Sequence, residues 1–431
     1  MTSRKLFLMG LAALAALSAA GRPMAAQDVP DRAQALALSC GTTGAWIDTK
    51  TGKAIAPEAF FDGLMREPIV LLGENHDSAE HHRWQLQNLA ALHGRGARLV
   101  IGFEMFPRRL QPVLDRWVRG ELTEKAFLDA SEWRRLWGYD PELYLPLFHF
   151  ARMNGIPMVA LNVERALVSR VAAEGWVAVP QAEREGLTDP APASAAYRRS
   201  LAEVYALKES FKTATPKDGQ EKAASGTHGT PEKKPQVDET KLAEIEQRPE
   251  FQRFVEAQLV WDRAMAEALA AAKAQNPQAQ IVGVMGAGHV EHSHGVPHQL
   301  AAAGVPAGAA LIPVEAGEAC GKTAQGYAHA VFTLKTLASA AEERPRLGVM
   351  LTGAENAALV TGVMPDSVAA ATGLQKGDSI IRAAGIGIRG PADLTEVISR
   401  QAAGTWLPLT IRRNGEDIEL IAKFAARQQQ Q

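Results

Sequence analysis

Glutamate and histidine recur at four places where an apolar run of the chain stops. Pro68-IVLLG gives way to Glu74-Asn-His76, Arg98-LVIGF to Glu104, Ile156-PMVAL to Asn162-Val-Glu164, and Gln280-IVGVMGAG to His289-Val-Glu291-His292. Carboxylates beside imidazoles suit proton transfer near neutral pH, because histidine titrates there and its neighbours tune it. The same residue types ligate metals, which need about three N or O donors and an open position. Glu74, His76, Glu104 and His289 are therefore candidate catalytic residues, and His76, Glu104 and His289 a candidate set for a divalent metal ion. Of His81 and His82, one turn further on, at most one can face the same cleft. His292, His294 and His298 follow in a loop where two of the three are expected to be solvated.

Such a site requires the four runs to be neighbours. Continuous aliphatic and β-branched runs read as strands buried on both faces, the signature of a parallel sheet covered by helices. Ligands then bind beyond the carboxyl ends of the strands. Helical spacing over Ser78–His93, Pro107–Gly120, Thr123–Leu136, the stretch opened by Pro141 and Phe251–Gln275 supplies the crossovers, with Ser78 and Thr123 as N-caps. Tyr327-AHAVFTL reads as a last strand. The predicted fold class is α/β, a mostly parallel sheet flanked by helices over residues 36–338. Gly73 and the glycines of Gly286-Ala-Gly288 are expected where the backbone turns tightly or lies close to a ligand.

Length, charge and cysteine count narrow the classes. A chain of 431 residues should hold two domains, and a formal net charge of −2 gives no reason to expect nucleic-acid binding. Arg4, Lys5 and the apolar stretch Leu6–Leu17 match a secretory signal over residues 1–26, too short to span a membrane, so a periplasmic protein is expected. Cys40 and Cys320 are the only cysteines, and whether they pair stays open. Residues 212–240 lack large apolar side chains and read as a disordered insertion, with 426–431 a disordered tail. No GxSxG elbow, phosphate loop, dinucleotide fingerprint or CxxCH motif occurs.

From 345 to 425 the grammar changes to short strands with two helical pieces. Arg346-Leu-Gly-Val, Pro365-Asp-Ser-Val-Ala-Ala-Ala-Thr-Gly-Leu and Lys376-Gly-Asp-Ser-Ile-Ile make this segment resemble a PDZ domain. The resemblance implies that Leu347, Gly348 and Val349 form a loop receiving the carboxylate of a peptide or protein C-terminus.

LLGENHDSAEHHRWQ, GFEMFPRRLQPVLD, WGYDPELYLPLFHFA, IPMVALNVER, AQLVWDRAMA and GAGHVEH give the first domain a resemblance to the ChaN-like haem-binding uptake proteins of the Tiki superfamily. That resemblance implies haem as cofactor, held at a homodimer interface through a tyrosine, with Tyr139 and Tyr144 as candidate ligands; Trp133 and Trp137 beside them either line a flat apolar pocket or, the simpler reading, pack in the core. Relatives within the superfamily are hydrolases with a G-x-x-H histidine and a glutamate, which Gly73 and His76 match. Two expectations follow, haem binding in iron handling and a metal-dependent hydrolase, and the residues leave open whether the chain is an enzyme. The anchoring cysteine of the lipoprotein members is missing, which points to a soluble form.

Overall fold

The computed structural model describes residues 42–214, 238–306, 308–316, 326–335 and 346–425. The expected leader, both cysteines, most of the 212–240 insertion and the tail lie outside these residues. The chain divides into two compact units between Thr336 and Leu337.

The first unit is built on eight strands: β1 (Trp46–Asp48), β2 (Ala54–Ile55), β3 (Ile69–Glu74), β4 (Leu99–Pro107), β5 (Met158–Asn162), β6 (Gln280–Gly286), β7 (Ala309–Glu315) and β8 (Ala330–Leu334). They lie in the order β2-β1-β8-β7-β3-β6-β4-β5. From β8 to β5 every pairing is parallel, and β1 closes one side antiparallel. The four apolar runs thus stand side by side as β3-β6-β4-β5. Every residue of β3, β4 and β6 is buried, as expected of strands covered on both faces.

Each face of the sheet has its own core. One gathers Phe60, Trp84, Phe103, Trp117 and Phe148, the other Ile69, Leu71, Leu161, Leu269 and Met285. Each such side chain contributes about 1.5–3 kcal/mol on burial. The helices that bear on the site are α1 (Ala79–Gly94), α2 (Gln111–Val118), α3 (Leu145–Met153), α4 (Ala195–Ala214) and α5 (Pro249–Gln275). Ser78 caps α1 by accepting from His81 N. The edge strand β5 is covered by the Gln111 amide, which donates to Met158 O at 2.7 Å and accepts from Ala160 N at 2.9 Å. One side chain so fills the ladder positions of a missing strand.

Several expectations need correction. The helix expected over Thr123–Leu136 breaks in two because Glu132 takes a left-handed conformation, φ 52°. The insertion expected from 212 starts later, since α4 runs to Ala214 and a further helix resumes at Glu239. Gly73 is not in a turn. It lies within β3, where an added Cβ would come 2.9 Å from Val290 and 3.1 Å from Ile312, so its role is close packing.

The second unit is an antiparallel sheet of β9 (Val349–Ala354), β10 (Ala357–Val363), β11 (Ser379–Ala383), β12 (Ile386–Gly387), β13 (Trp406–Arg413) and β14 (Glu416–Lys423), with helices α6 (Val368–Thr372) and α7 (Pro391–Ser399). Its own core includes Leu347, Val360, Ile380, Leu394 and Leu409.

Candidate functional site

The carboxyl ends of β3, β4 and β6 deliver Glu74, Glu104 and Gly286 to one place. His76 follows β3, and His289 follows β6 in a short 3-10 turn. Two clusters result.

In the first, Glu74 is surrounded by donors. His76 Nδ1 lies 2.8 Å from Glu74 Oε1, His82 Nδ1 lies 2.7 Å from Oε2, and Tyr144 Oη donates to Oε1 at 2.9 Å. Burial alone would raise the Glu74 pKa, but the bonds from His76 and His82 outweigh it and bring it down to about 2. His76 and His82 lose by burial and gain more from Glu74, so both are raised above 6.5. His82 is the α1 histidine that faces the cleft. His81 instead accepts from Asn75 N at 3.0 Å and braces the turn.

The second cluster inverts the first. His289 Nδ1 lies 2.6 Å from Asp262 Oδ1, and its Nε2 is 3.4 Å from Glu104 Oε1. Tyr197 Oη donates to Asp262 Oδ2 at 2.7 Å, and Gly286 N donates to Glu104 Oε2 at 2.7 Å. Burial would lower the His289 pKa, yet the Glu104 charge and the Asp262 hydrogen bond raise it to about 10. Glu104 is in turn held below 4.5, its burial outweighed by the His289 charge. Asn162 closes the end of β5 by donating to Glu104 O at 3.1 Å, so it positions backbone and not the carboxylate.

The clusters meet across Gly286. A Cβ there would lie 2.9 Å from His76 Cε1, 3.1 Å from His76 Nε2 and 3.7 Å from Glu104 Oε2. A side chain at 286 would occupy the space that lets His76 stand beside Glu104. The His76 side chain is 24% exposed, and its Nε2 makes no hydrogen bond among the described residues. It faces outward. Trp137 stands edge-on to it at 4.7 Å between ring centroids, Tyr139 lies 5.3 Å away, and those two rings are 5.6 Å apart. Both are half-buried and form an aromatic ledge beside His76.

The structure separates the two candidate haem-ligand tyrosines. Tyr144 is fully buried, packs on Trp133 and spends its hydroxyl on Glu74, and burial followed by the Glu74 charge pushes its pKa well above 10. It is a partner of Glu74, buried away from solvent. Tyr139 is half-exposed, and its hydroxyl makes no hydrogen bond among the described residues. Trp133 belongs to the core, donating to Tyr139 O at 2.8 Å.

The metal set His76, Glu104 and His289 also needs correction. Among the described residues no group of three or more His, Cys, Asp or Glu side chains is arranged to hold a metal ion. Glu104 and His289 contact each other, with His76 across Gly286 from them. His292, His294 and His298 do not join the site's polar clusters. His294 packs on Tyr197, and His298 Nε2 donates to Pro192 O at 3.0 Å.

Asp262 and Tyr197 were not legible as site residues. Asp262 is 0% exposed on the buried face of α5 between Leu259 and Ala266. An acid inside an apolar helical stripe is the signal that marks it. Tyr197, near the start of α4, carries no such signal.

In the second unit, Arg346-Leu-Gly348 leads into β9 at Val349, and β9 pairs only with β10 among the described residues. Gly348 has φ +80°, and a side chain there would run into Ser367. Leu347 O accepts from Ala369 N at 2.7 Å, fixing the loop against α6.

A doubly covered parallel sheet with ionisable groups at its strand ends, joined to a small antiparallel unit, defines an α/β protein carrying a PDZ module. The family described as "Haem-binding uptake, Tiki superfamily, ChaN" matches residues 60–300, and the PDZ domain family matches 345–423. The chain belongs to the ChaN haem-binding uptake family and ends in a PDZ domain. It is similar to the structure described as "Cofacial heme binding to ChaN of Campylobacter jejuni", at 16% identity over 67% of this chain and 95% of that one, TM-score 0.46. Its C-terminal part is similar to the HtrA-type protease AlgW with decapeptide, at 24% identity over 20% of this chain and 30% of that one, TM-score 0.19. It is also similar to the HtrA3 PDZ domain bound to a phage-derived ligand, at 20% identity over 18% of this chain and 82% of that one, TM-score 0.17. No curated protein matches the sequence.

Proposed function

We propose that this chain is an exported haem-binding protein that receives haem on the ledge of Trp137, Tyr139 and His76. The observation that carries this reading is the pairing of a half-exposed aromatic wall with two outward Lewis bases, the Tyr139 hydroxyl and His76 Nε2. A flat apolar macrocycle needs such a wall, and its iron needs one axial donor, whose identity sets the potential of the bound haem. Burial, then the charges of Asp77, Glu104 and Glu74, raise the Tyr139 pKa above 10. The free phenol is therefore neutral at pH 7, and ligation through it must release a proton. Binding should strengthen as pH rises. The basic, apolar start of the chain supports export to the periplasm, and no helix among the described residues is long and apolar enough to cross a membrane. A homodimer would bring two ledges together. In the PDZ unit the open edge of β9 and the Leu347-Gly348-Val349 loop suit an extended peptide ending in a carboxylate.

The test is a haem titration of the full-length protein followed in the Soret region. A saturable band that shifts or weakens in Tyr139→Phe, and persists in Tyr144→Phe if that variant folds, is the expected result. No spectral change on adding haem would remove the proposal.

A second reading is favoured by the charge arrangement itself. His76, oriented by Glu74 and with its pKa raised by that contact against burial, stands beside Glu104, an imidazole–carboxylate pairing suited to proton transfer. This would serve hydrolysis, of the kind the Gly73-x-x-His76 resemblance implies. Ester or peptide hydrolysis lost in His76→Ala with the fold intact would support it, and wild-type rates in that variant would end it.

A further inference from the structure

The open edge of β9 in the second unit offers more than unpaired backbone. Side chains along a strand alternate between the two faces of its sheet. Val349 and Leu351 pack against the core of the unit, whereas Met350 between them is 54% exposed on the other face. Met364, just beyond the end of β10, is 56% exposed. Two large apolar side chains are thus left in solvent beside the Leu347-Gly348-Val349 loop. Trp406 and Ile421, also exposed, lie on β13 and β14, beyond β11 from this edge.

The backbone is arranged to hold both methionines there. Val349 pairs with Val363, Met350 with Gly362 and Leu351 with Val360, so Thr361 is an extra residue in a bulge. That bulge sets a glycine opposite Met350 while valines stay opposite its two neighbours. An added Cβ at 362 would collide with Met350 Cε, so the methionine lies across β10 in space that a side chain there would take.

Met364 is pinned through its backbone. Its N donates to Gly348 O at 2.9 Å, and its O accepts from Ser367 Oγ at 2.6 Å. The first of these bonds ties it directly to the loop.

We propose that Met350, Gly362 and Met364 form a shelf that reads the penultimate side chain of a bound peptide and selects a large apolar or aromatic residue there. This rests on the reading of the β9 edge and its loop as a site for a peptide carboxylate. A peptide whose carboxylate enters the loop before β9 must run antiparallel to that strand. Its last residue lies opposite Val349 and sends its side chain to the core face. The residue before it lies opposite Met350. Residues directly opposite on antiparallel strands share a face, with Cβ atoms about 4.5–5.5 Å apart. The penultimate side chain therefore falls on the methionines and not in the groove. Methionine suits that role, because it is unbranched, adapts to the shape laid on it and makes favourable contacts with aromatic rings.

Binding of the full-length protein to an array of synthetic peptides tests this. The peptides vary through all residue types at the last two positions, and each is present with a free and with an amidated C-terminus. Among those that need the free carboxylate, Trp, Phe, Leu or Met at the penultimate position should bind about fivefold tighter than Ser or Asp, the effect of taking about 40 Å² of apolar surface out of water. In Met350→Ser/Met364→Ser that preference should disappear while the preference at the last position persists, since both methionines are exposed and the groove keeps its core. Carboxylate-dependent binding with no penultimate preference, or the wild-type preference retained in the double variant, would overturn the shelf alone. Binding indifferent to amidation, or binding of no peptide, would remove the peptide-end reading and the shelf with it.

Discussion

Glu74 and His289 are built from the same residue types with the signs exchanged. Glu74 is one carboxylate between two imidazoles and a phenol, whereas His289 is one imidazole between two carboxylates. The first arrangement drives its carboxylate down to about 2 and the second drives its imidazole up to about 10. Neither central group titrates near pH 7. What remains adjustable is His76, which belongs to the first cluster and leans on the Glu104 of the second. Two fixed charges of opposite sign thus frame one tunable group. Desolvation opposes every charge in both clusters, and the partners win because each charge is met at hydrogen-bond distance.

The comparison breaks most severely at Asp262. Asp262→Ala leaves His289 buried with Glu104 alone and strips the Tyr197 hydroxyl of its acceptor. A loss of about 3–5 kcal/mol is expected in urea unfolding of the first unit, the scale of a broken buried ion pair. Tyr144→Phe is the matching cut in the first cluster. It removes one of three donors from Glu74 and should cost about 1.5–3 kcal/mol, as for a hydrogen bond to a charged group. A cost as large as that of Asp262→Ala would show that the clusters are not equivalent in redundancy.

Gly286→Ala addresses the contact between them. The added Cβ would lie 2.9 Å from a ring whose other side is held by Glu74, so His76 must turn away. Overpacking of this kind costs about 1–3 kcal/mol. The sharper readout is loss of the His76-dependent activity, whether a haem spectrum or hydrolysis, with Gly286 N still free to bond Glu104.

The smallest effect sharpens the comparison by pH. Glu74, depressed from 4.5 to about 2, stabilises the fold fully above pH 4.5 and loses that contribution as pH falls toward 2. His289, raised from 6.5 to about 10, stabilises fully below pH 6.5 and loses that contribution as pH rises through 10. Melting temperatures of the first unit should therefore be highest between about pH 4.5 and 6.5, and Asp262→Ala should flatten the alkaline side. An alkaline side unchanged in that variant would remove Asp262 as the cause.

Much of the fold was legible locally. Apolar runs at Pro68, Arg98, Ile156 and Gln280 are strands because burial on both faces leaves no room for polar alternation; β3 stops at Glu74, whereas β4 continues past Glu104 to Pro107. Ser78 and Thr123 cap their helices as their side chains require. The PDZ segment showed itself through its resemblance at Arg346-Leu-Gly-Val, at the stretch opened by Pro365 and at Lys376-Gly-Asp-Ser-Ile-Ile. Asp262, Tyr197 and the split between Tyr139 and Tyr144 were not legible in the same way.

The amino-acid order by itself determined which residues stand at strand ends, because periodicity and capping act within a few residues of each position. Tertiary structure alone decided what those residues do. Glu74 meets Tyr144 70 positions away and His289 meets Asp262 27 positions away. Protonation is set by distances of a few ångströms between such side chains, and no spacing along the chain encodes them until the sheet brings its strands into register.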